Sequence, residues 1–388
     1  MRIRRFEISN FRSLEKVVVG SVAGVAVFHG ENNTGKSNIL AVLEAVFRSK
    51  VGEEESRVPS EEAPAPRVTP FYYGRLQNFS DSFRWGSSEP IRFNISLEAS
   101  AAEITSIHDL DRAVVHLPAG QGHSHRITLS GAISQSGNDG VMRLEEARLN
   151  NTILYKSEPG GATSYFPSLG ELSAEEKERA AEALLGHMND LVTIVESDRY
   201  LTTESMEGSS ELSSLTFKRW LHRLSLSRDD FPVYHRILEA FDGSPFNFGK
   251  LGFAEEKGEL EIMILDKNSQ RLPIGRLGTG VQQILMLLAR ILQGRAQIFG
   301  IEELELNLSY RNQDLVLNKL TDLVQDTGFP LSQLLLTTHS DHLGSRADAS
   351  RYRVMMDETA TQVRRFNLDD RRELYPHARG WRRLFYSS

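Results

Sequence analysis

VAVFHGENNTGKSNILAVLEAVF (residues 25–47) opens with β-branched and aromatic residues, passes through a glycine-bounded loop and closes on apolar residues at helical spacing. That order predicts a buried strand, a tight loop and a helix. Within it, Gly30-Glu31-Asn32-Asn33-Thr34-Gly35-Lys36-Ser37 fits G-x-x-x-x-G-K-[ST] at every fixed position, with Asn38 next. Gly30 and Gly35 let the backbone curl so that successive N–H groups point at phosphate oxygens. Lys36 supplies a cation for β and γ phosphates, and the Ser37 hydroxyl can ligate Mg²⁺. The start of the helix adds its positive dipole end.

Three further segments belong with such a loop. Gln297-Ile298-Phe299-Gly300-Ile301-Glu302-Glu303 is an apolar strand that delivers two carboxylates at its C-terminal edge, where ligands bind in parallel sheets. Side chains alternate along a strand, so Glu302 is assigned to the metal and Glu303 to the attacking water; Glu305 is a weaker carboxylate candidate. Leu334 to Ser340 (LLLTTHS) is a core strand whose tip carries His339, placed to meet a γ-phosphate. Arg276 to Gln283 (RLGTGVQQ) leads into a long apolar helix. Leu277, Gly278, Thr279, Gly280 and Gln282 therefore make a second anion site at a helix start. One chain already has its phosphate loop, so this second site makes sense if it closes over the nucleotide of another subunit.

Strands without alternation, each followed by a helix, predict an α/β fold with a mixed or parallel sheet covered on both faces. Residues 3–9, 17–19 and 25–29 read as strands, and about 90 to 165 as glycine-separated strands. Ser173 and Glu176 form a capping-box pair ahead of a helix, and further helices are expected near 210–223 and 229–241. Residues 51–66 are acidic and proline-rich, an exposed loop. The expected organisation is an N-terminal part of a phosphate-loop domain (1–50), a β-rich and helical insertion (51–250), the remainder of that domain (251–345) and a basic C-terminal tail (346–388).

The chain has 388 residues, a net charge of −7, 25% charged and 40% hydrophobic side chains, and no cysteine. Disulfides and thiolate metal sites are excluded. The overall charge gives no attraction to nucleic acid, so any such binding needs a local basic face. No signal-peptide core and no run of about 18 apolar residues is present, which predicts a cytoplasmic protein with no membrane partner.

Taken in order, the four segments resemble the ABC-type ATPase heads of the SMC, RecF and OLD (overcoming lysogenisation defect) groups. IRRFEISNFRSLEK is similar to their first strand and turn, which implies that Arg12 approaches the nucleotide phosphates. GENNTGKSN resembles their Walker A, and RLGTGVQQ their signature, with Gly278 where a serine is usual. IEELELNLSYRNQ resembles the OLD-type Walker B and D-loop, usually I-E-E-P-E-A-H-L-H-P-R-L-Q; Leu304, Asn307, Ser309 and Tyr310 depart from it. TTHSDHL resembles the switch-histidine segment, and Gln77 is assigned as the Q-loop glutamine beside the metal. Asp198, Arg199 and Tyr200 end an apolar strand and are weaker site candidates.

About 240 residues separate Walker A from the signature with no heptad register, so the resemblance is closer to the compact OLD-like and RecF-like branch than to coiled-coil relatives. About 48 residues follow Ser340, with no D-x-D; this implies an ATPase without the Toprim nuclease that OLD proteins append. The resemblance implies ATP and Mg²⁺ as ligands, a homodimer or higher homo-oligomer that sandwiches ATP, and a separate effector, a nuclease or toxin, in anti-phage defence. The alternative is a RecF-like DNA-binding ATPase of repair or replication. It would use Arg351, Arg353, Arg364, Arg365, Arg371, Arg372, Arg379, Arg382 and Arg383, with Tyr375, Trp381 and Phe385 to stack on bases.

Overall fold

The structure, a computed structural model, describes residues 1–48, 50–51, 68–69, 73–107, 124–157, 163–167, 172–197, 214–256, 259–265, 270–294, 296–326, 328–346 and 348–366. Asp198, Arg199, Tyr200 and the basic and aromatic candidates from Arg371 onward lie outside these residues, as does most of the acidic stretch 51–66. The chain divides into two compact units, Met1–Leu191 with Leu335–Ser388, and Val192–Leu334.

The first unit holds a ten-stranded sheet. Its backbone is β1 (Arg2–Phe11), β2 (Leu14–Gly20), β7 (Ile91–Ser100), β8 (Ser124–Ser136) and β9 (Asp139–Leu149), paired in the order β2-β1-β7-β8-β9. The short strands β4 (Lys50–Val51), β5 (Val68–Thr69) and β6 (Tyr73–Leu76) extend it beyond β9, and β10 (Thr152–Ser157) and β11 (Thr163–Tyr165) pair off β9. The pairings are antiparallel, and β7 alternates buried and exposed positions along its length, as a sheet with one covered face requires. β1 and β7 are hydrogen-bonded neighbours, so strands from both sides of the border expected at residue 50 share one ladder.

The same unit carries β3 (Val25–His29), all of whose residues but the last are buried, followed by the phosphate-type loop and helix α1 (Lys36–Phe47). On one side of β3 lie Leu335–Thr338 of β17 (Gln333–Thr338), and Gly30 N–H donates to Thr338 O at 3.2 Å. On the other side β18 (Ser350–Asp357) runs parallel to β3 with Tyr352 opposite Phe28, and β19 (Ala360–Arg365) returns antiparallel. Residues 350–365, expected in a basic tail, thus form a core hairpin. Its apolar residues Tyr352 and Val354 are buried between arginines that disguised the strand in the sequence. Tyr352 stacks on Phe28 with centroids 5.1 Å apart and donates its hydroxyl to Gly20 O at 2.8 Å. Helix α3 (Ala174–Gly186) begins at the expected capping box, Ser173 and Glu176 each bonding the other's backbone.

In the second unit, β12 (Val192–Val195) pairs in parallel with β16 (Ile298–Glu302), which places a strand expected in the insertion beside the acidic strand. Helices α4 (Ser214–Leu226), α5 (Phe231–Asp242), α6 (Thr279–Leu292) and α7 (Tyr310–Gln325) accompany a three-stranded antiparallel sheet of β13 (Lys250–Glu256), β14 (Glu259–Leu265) and β15 (Arg271–Pro273). α4 is tied to β14 by a Lys218–Glu261 ion pair of 2.7 Å.

Because Phe28 is fully buried between Phe6 and Tyr352, Phe28→Ala should lower unfolding stability by about 3–5 kcal/mol. Urea denaturation followed by tryptophan fluorescence and circular dichroism measures this, and a loss below about 1 kcal/mol would contradict the packing described.

Candidate functional site

Strand β3 ends at His29, and the chain turns at once through residues 30–35 into α1. A side chain on Gly30 would collide with the carbonyl of Val354 on β18, so only glycine lets the loop leave the sheet this closely. Gly35 takes the left-handed conformation, φ 91° and ψ 17°, at the N-cap of α1, which glycine alone adopts without strain. Asn33 is also left-handed, at φ 62°, a region asparagine tolerates. Glu31, Asn32, Asn33 and Ser37 are exposed, whereas Thr34 and Lys36 are buried. The Lys36 ammonium donates to Gly30 O at 2.9 Å and Glu31 O at 2.6 Å, and Thr34 Oγ1 donates to Glu31 O at 2.9 Å. A cation is therefore braced inside a curled loop at a helix start, a combination suited to a polyphosphate.

The turn between β1 and β2 lies against this loop. Arg12 is exposed, has φ 47°, and donates to Asn38 Oδ1 at 3.3 Å. Asn38 Nδ2 donates to Ser13 Oγ at 2.9 Å. Sequence reasoning did not single out Ser13 or His29. The signal for Ser13 was its place beside Arg12, while His29 stood only as a strand residue. The His29 ring sits 3.2 Å from Asp341 Oδ1 and presses on Gly344 of the short helix α8 (Asp341–Gly344), which follows His339. His339 itself is exposed at the end of β17. So the start of the phosphate-type loop and the segment after the switch-type histidine meet at His29.

Acid and signature segments lie in the second unit. Glu302 is the last residue of β16, half-buried; Glu303 leaves the strand with φ 44°. Strand alternation therefore does not separate the two carboxylates, because the chain turns left-handed between them. A non-glycine residue held there is strained, a feature that clusters at functional sites. Leu304, where the OLD-type pattern has proline, is fully buried, and Glu305 is 8% exposed. Asn307 is left-handed at φ 57°, and Ser309 caps α7 by accepting from Asn312 N–H at 3.3 Å. Leu304, Asn307 and Ser309 thus each have a local structural use. Gly278 is the N-cap of α6, and it and Thr279 are exposed; Leu277 is half-buried, and its carbonyl accepts from Gln282 Nε2 at 3.1 Å. A Cβ on Gly280 would lie 2.8 Å from Asn307 O, so α6 packs its glycine on the turn after the acidic strand.

Gln77 is exposed in the turn after β6, beside Asn78, whose N–H donates to Asp139. It takes no part in the hydrogen-bonded chain around Arg12 and Asn38. Of the basic C-terminal candidates within the described residues, Arg351 is 8% exposed and stacks over Phe366 at 5.6 Å, while Arg364 and Arg365 are exposed on β19. The oxygen donors expected for magnesium, the exposed hydroxyl of Ser37 and the carboxylate of Glu302, are of the hard type that ion prefers. Among the described residues no group of three or more His, Cys, Asp or Glu side chains forms a cage for a metal. No helix among the described residues is long and apolar enough to cross a membrane.

Burial holds the pKa of His29 below its ordinary 6.5; Asp341 opposes that shift, while Arg353 and Lys36 reinforce it. Between the lowered folded value and 6.5 the unfolded chain binds more protons, so this contribution is complete above about pH 6.5 and is lost as the pH falls. The wild-type thermal midpoint should therefore drop more between about pH 7.5 and about pH 5.5 than that of His29→Gln. Parallel pH profiles would contradict it.

Comparison with known proteins adds the following. A family model described as AAA ATPase domain matches residues 1–110 and 216–343. No curated protein matches the chain significantly. Solved structures similar to it include an SMC head domain from Thermotoga maritima (14% identity, 95% of this chain and 100% of that one, TM-score 0.44), an SMC head bound to the C-winged helix domain of ScpA (15%, 96% and 100%, TM-score 0.49), and an SMC head with an extended coiled coil bound to the C-terminal domain of ScpA, derived from Pyrococcus furiosus (12%, 97% and 99%, TM-score 0.48). The family model spans both the phosphate-type loop and the acidic strand, and the chain belongs to the AAA ATPase domain family.

Proposed function

We propose that the protein binds and hydrolyses ATP with Mg²⁺, and that nucleotide binding joins two copies of the chain. The observation that carries this reading is the loop itself: Lys36 braced on the Gly30 and Glu31 carbonyls, followed by left-handed Gly35 at the start of α1. In this reading Gly30 to Asn38 wrap the phosphates, and Lys36 redirects its N–H donors from the loop carbonyls to β and γ oxygens. Ser37 and Glu302 hold Mg²⁺, which when bound neutralises charge on the phosphate oxygens. Glu303 orients the attacking water and accepts its proton, and His339 meets the γ-phosphate. The exposed Gly278 and Thr279 at the start of α6, with Leu277, Gly280 and Gln282, close over the nucleotide of the partner copy. Arg12 supports the phosphate side through Asn38.

The finer assignment is to the compact OLD-like and RecF-like branch of ABC-type ATPases, in the cytoplasm. There the closed dimer would hold or release a separate effector, a nuclease or toxin, in anti-phage defence, and hydrolysis would part the two copies. What supports this branch is the run Glu302-Glu303-x-Glu305 and the absence of heptads between the motifs. Closure driven by γ-phosphate and reversed by its loss is a population shift between two assembled states.

Glu303→Gln keeps the shape of the side chain and removes its basicity. Phosphate release should fall about 10²- to 10⁴-fold, while light scattering with ATP and Mg²⁺ should show a persistent dimer. Wild-type turnover by this variant would remove Glu303 from its role, and a wild-type protein that stays monomeric with ATP would remove the dimer.

A further inference from the structure

β19 reaches the phosphate loop from the far end of the chain. Thr361, its second residue, is 1% exposed. Its N–H donates to Ser13 O at 2.9 Å, and its Oγ1 donates to Thr34 O at 2.9 Å. The same Oγ1 lies 2.7 Å from Ser13 Oγ, which accepts from Asn38 Nδ2 at 2.9 Å; Asn38 Oδ1 in turn accepts from Arg12 at 3.3 Å. A hydroxyl has one proton to give. Thr361 gives its proton to Thr34, so Ser13 must give its own to Thr361. The chain of bonds therefore has a single direction, from the Arg12 cation through Asn38, Ser13 and Thr361 to the carbonyl of Thr34. Hydrogen bonds aligned this way polarise one another.

The end point of that chain is what matters. Thr34 C=O and Gly35 N–H belong to one planar trans peptide and point in opposite directions. Holding the carbonyl toward β19 turns the Gly35 N–H to the other side of the loop, away from Thr361. Gly35 also owes its identity to this contact. A Cβ there would collide with Thr361 Oγ1 and lie 2.6 Å from Ser13 Oγ, so the threonine hydroxyl fills the space a side chain would need.

We propose that Thr361 is a positioning residue for nucleotide binding: with Ser13 it orients the Thr34–Gly35 peptide so that the amide of Gly35 is presented to the phosphates. The inference deepens the ATP-binding reading and rests on it. It assigns the C-terminal hairpin to the phosphate site rather than to a nucleic-acid surface. It also makes the hairpin responsive to occupancy, because a phosphate on the Gly35 amide strengthens the carbonyl on the same peptide as an acceptor.

The test uses the full chain with Mg²⁺ and ATP. Thr361→Val keeps the branched shape and removes the hydroxyl; Thr361→Ser keeps the hydroxyl. For Thr361→Val, calorimetry should show about tenfold weaker ATP binding, with KM raised to match and kcat within about twofold. The nucleotide-free thermal midpoint should fall by no more than a few degrees, as one unpaired buried carbonyl requires, and Thr361→Ser should recover most of the affinity. Wild-type affinity in a folded Thr361→Val, or no recovery in a folded Thr361→Ser, overturns the proposal. If Thr361→Val does not fold, Ser13→Ala decides, because it breaks the chain one bond earlier: a severalfold weaker affinity supports the proposal and an unchanged one overturns it. A wild-type protein that binds no ATP would instead remove the ATP-binding reading.

Discussion

The carbonyls of the phosphate loop are held by side chains, and the direction in which those peptides face governs what the loop can bind. Lys36 takes the carbonyls of Gly30 and Glu31, Thr34 adds a second bond to Glu31, and Thr361 takes the carbonyl of Thr34. A curled backbone presents amides to an anion only if its carbonyls are satisfied elsewhere, since a buried polar group left unpaired costs about 1–3 kcal/mol. The brace also keeps the lysine ammonium within the loop, at the place where phosphate charge is to arrive. In the proposed function, readiness to bind phosphate is a property of backbone orientation, set by the β1–β2 turn, β18 and β19.

A comparable constraint operates at the acidic strand. β16 buries Ile298 to Ile301, and the chain then turns left-handed at Glu303. Leu304 anchors the turn in the core, Asn307 supplies a second left-handed residue, and Ser309 begins α7. Gly280 of the signature helix rests on the Asn307 carbonyl. Of the residues that depart from the OLD-type pattern, Leu304, Asn307 and Ser309 shape this turn. Asparagine and serine stand where that pattern has histidines, and left-handed backbone and helix caps are conformations those two side chains favour.

How much of this was legible in the sequence follows from the range of each interaction. The strand, loop and helix of residues 25–47 are local, and so is the capping box at Ser173; spacing alone gave both. The buried strands β16 and β17 announced themselves as unbroken apolar runs. Pairing partners did not. β12 joins β16 from about a hundred residues away, and nothing in either strand specifies the other. β18 was hidden by arginines that interrupt its apolar pattern, although Tyr352 and Val354 are core residues. Thr361 had no signal at all: its partner Ser13 is 348 positions distant, and a threonine in a polar strand is unremarkable until the fold brings it beneath Gly35.

In the proposed function this braced loop receives a triphosphate through Lys36. Calorimetric titration of ATP with Mg²⁺ into the wild-type chain and into Lys36→Ala tests it most directly. Saturable binding by the wild type, weakened about 100-fold or lost in the variant, is the predicted result. No heat from the wild type with any nucleoside triphosphate, or equal affinity in the two proteins, would contradict it.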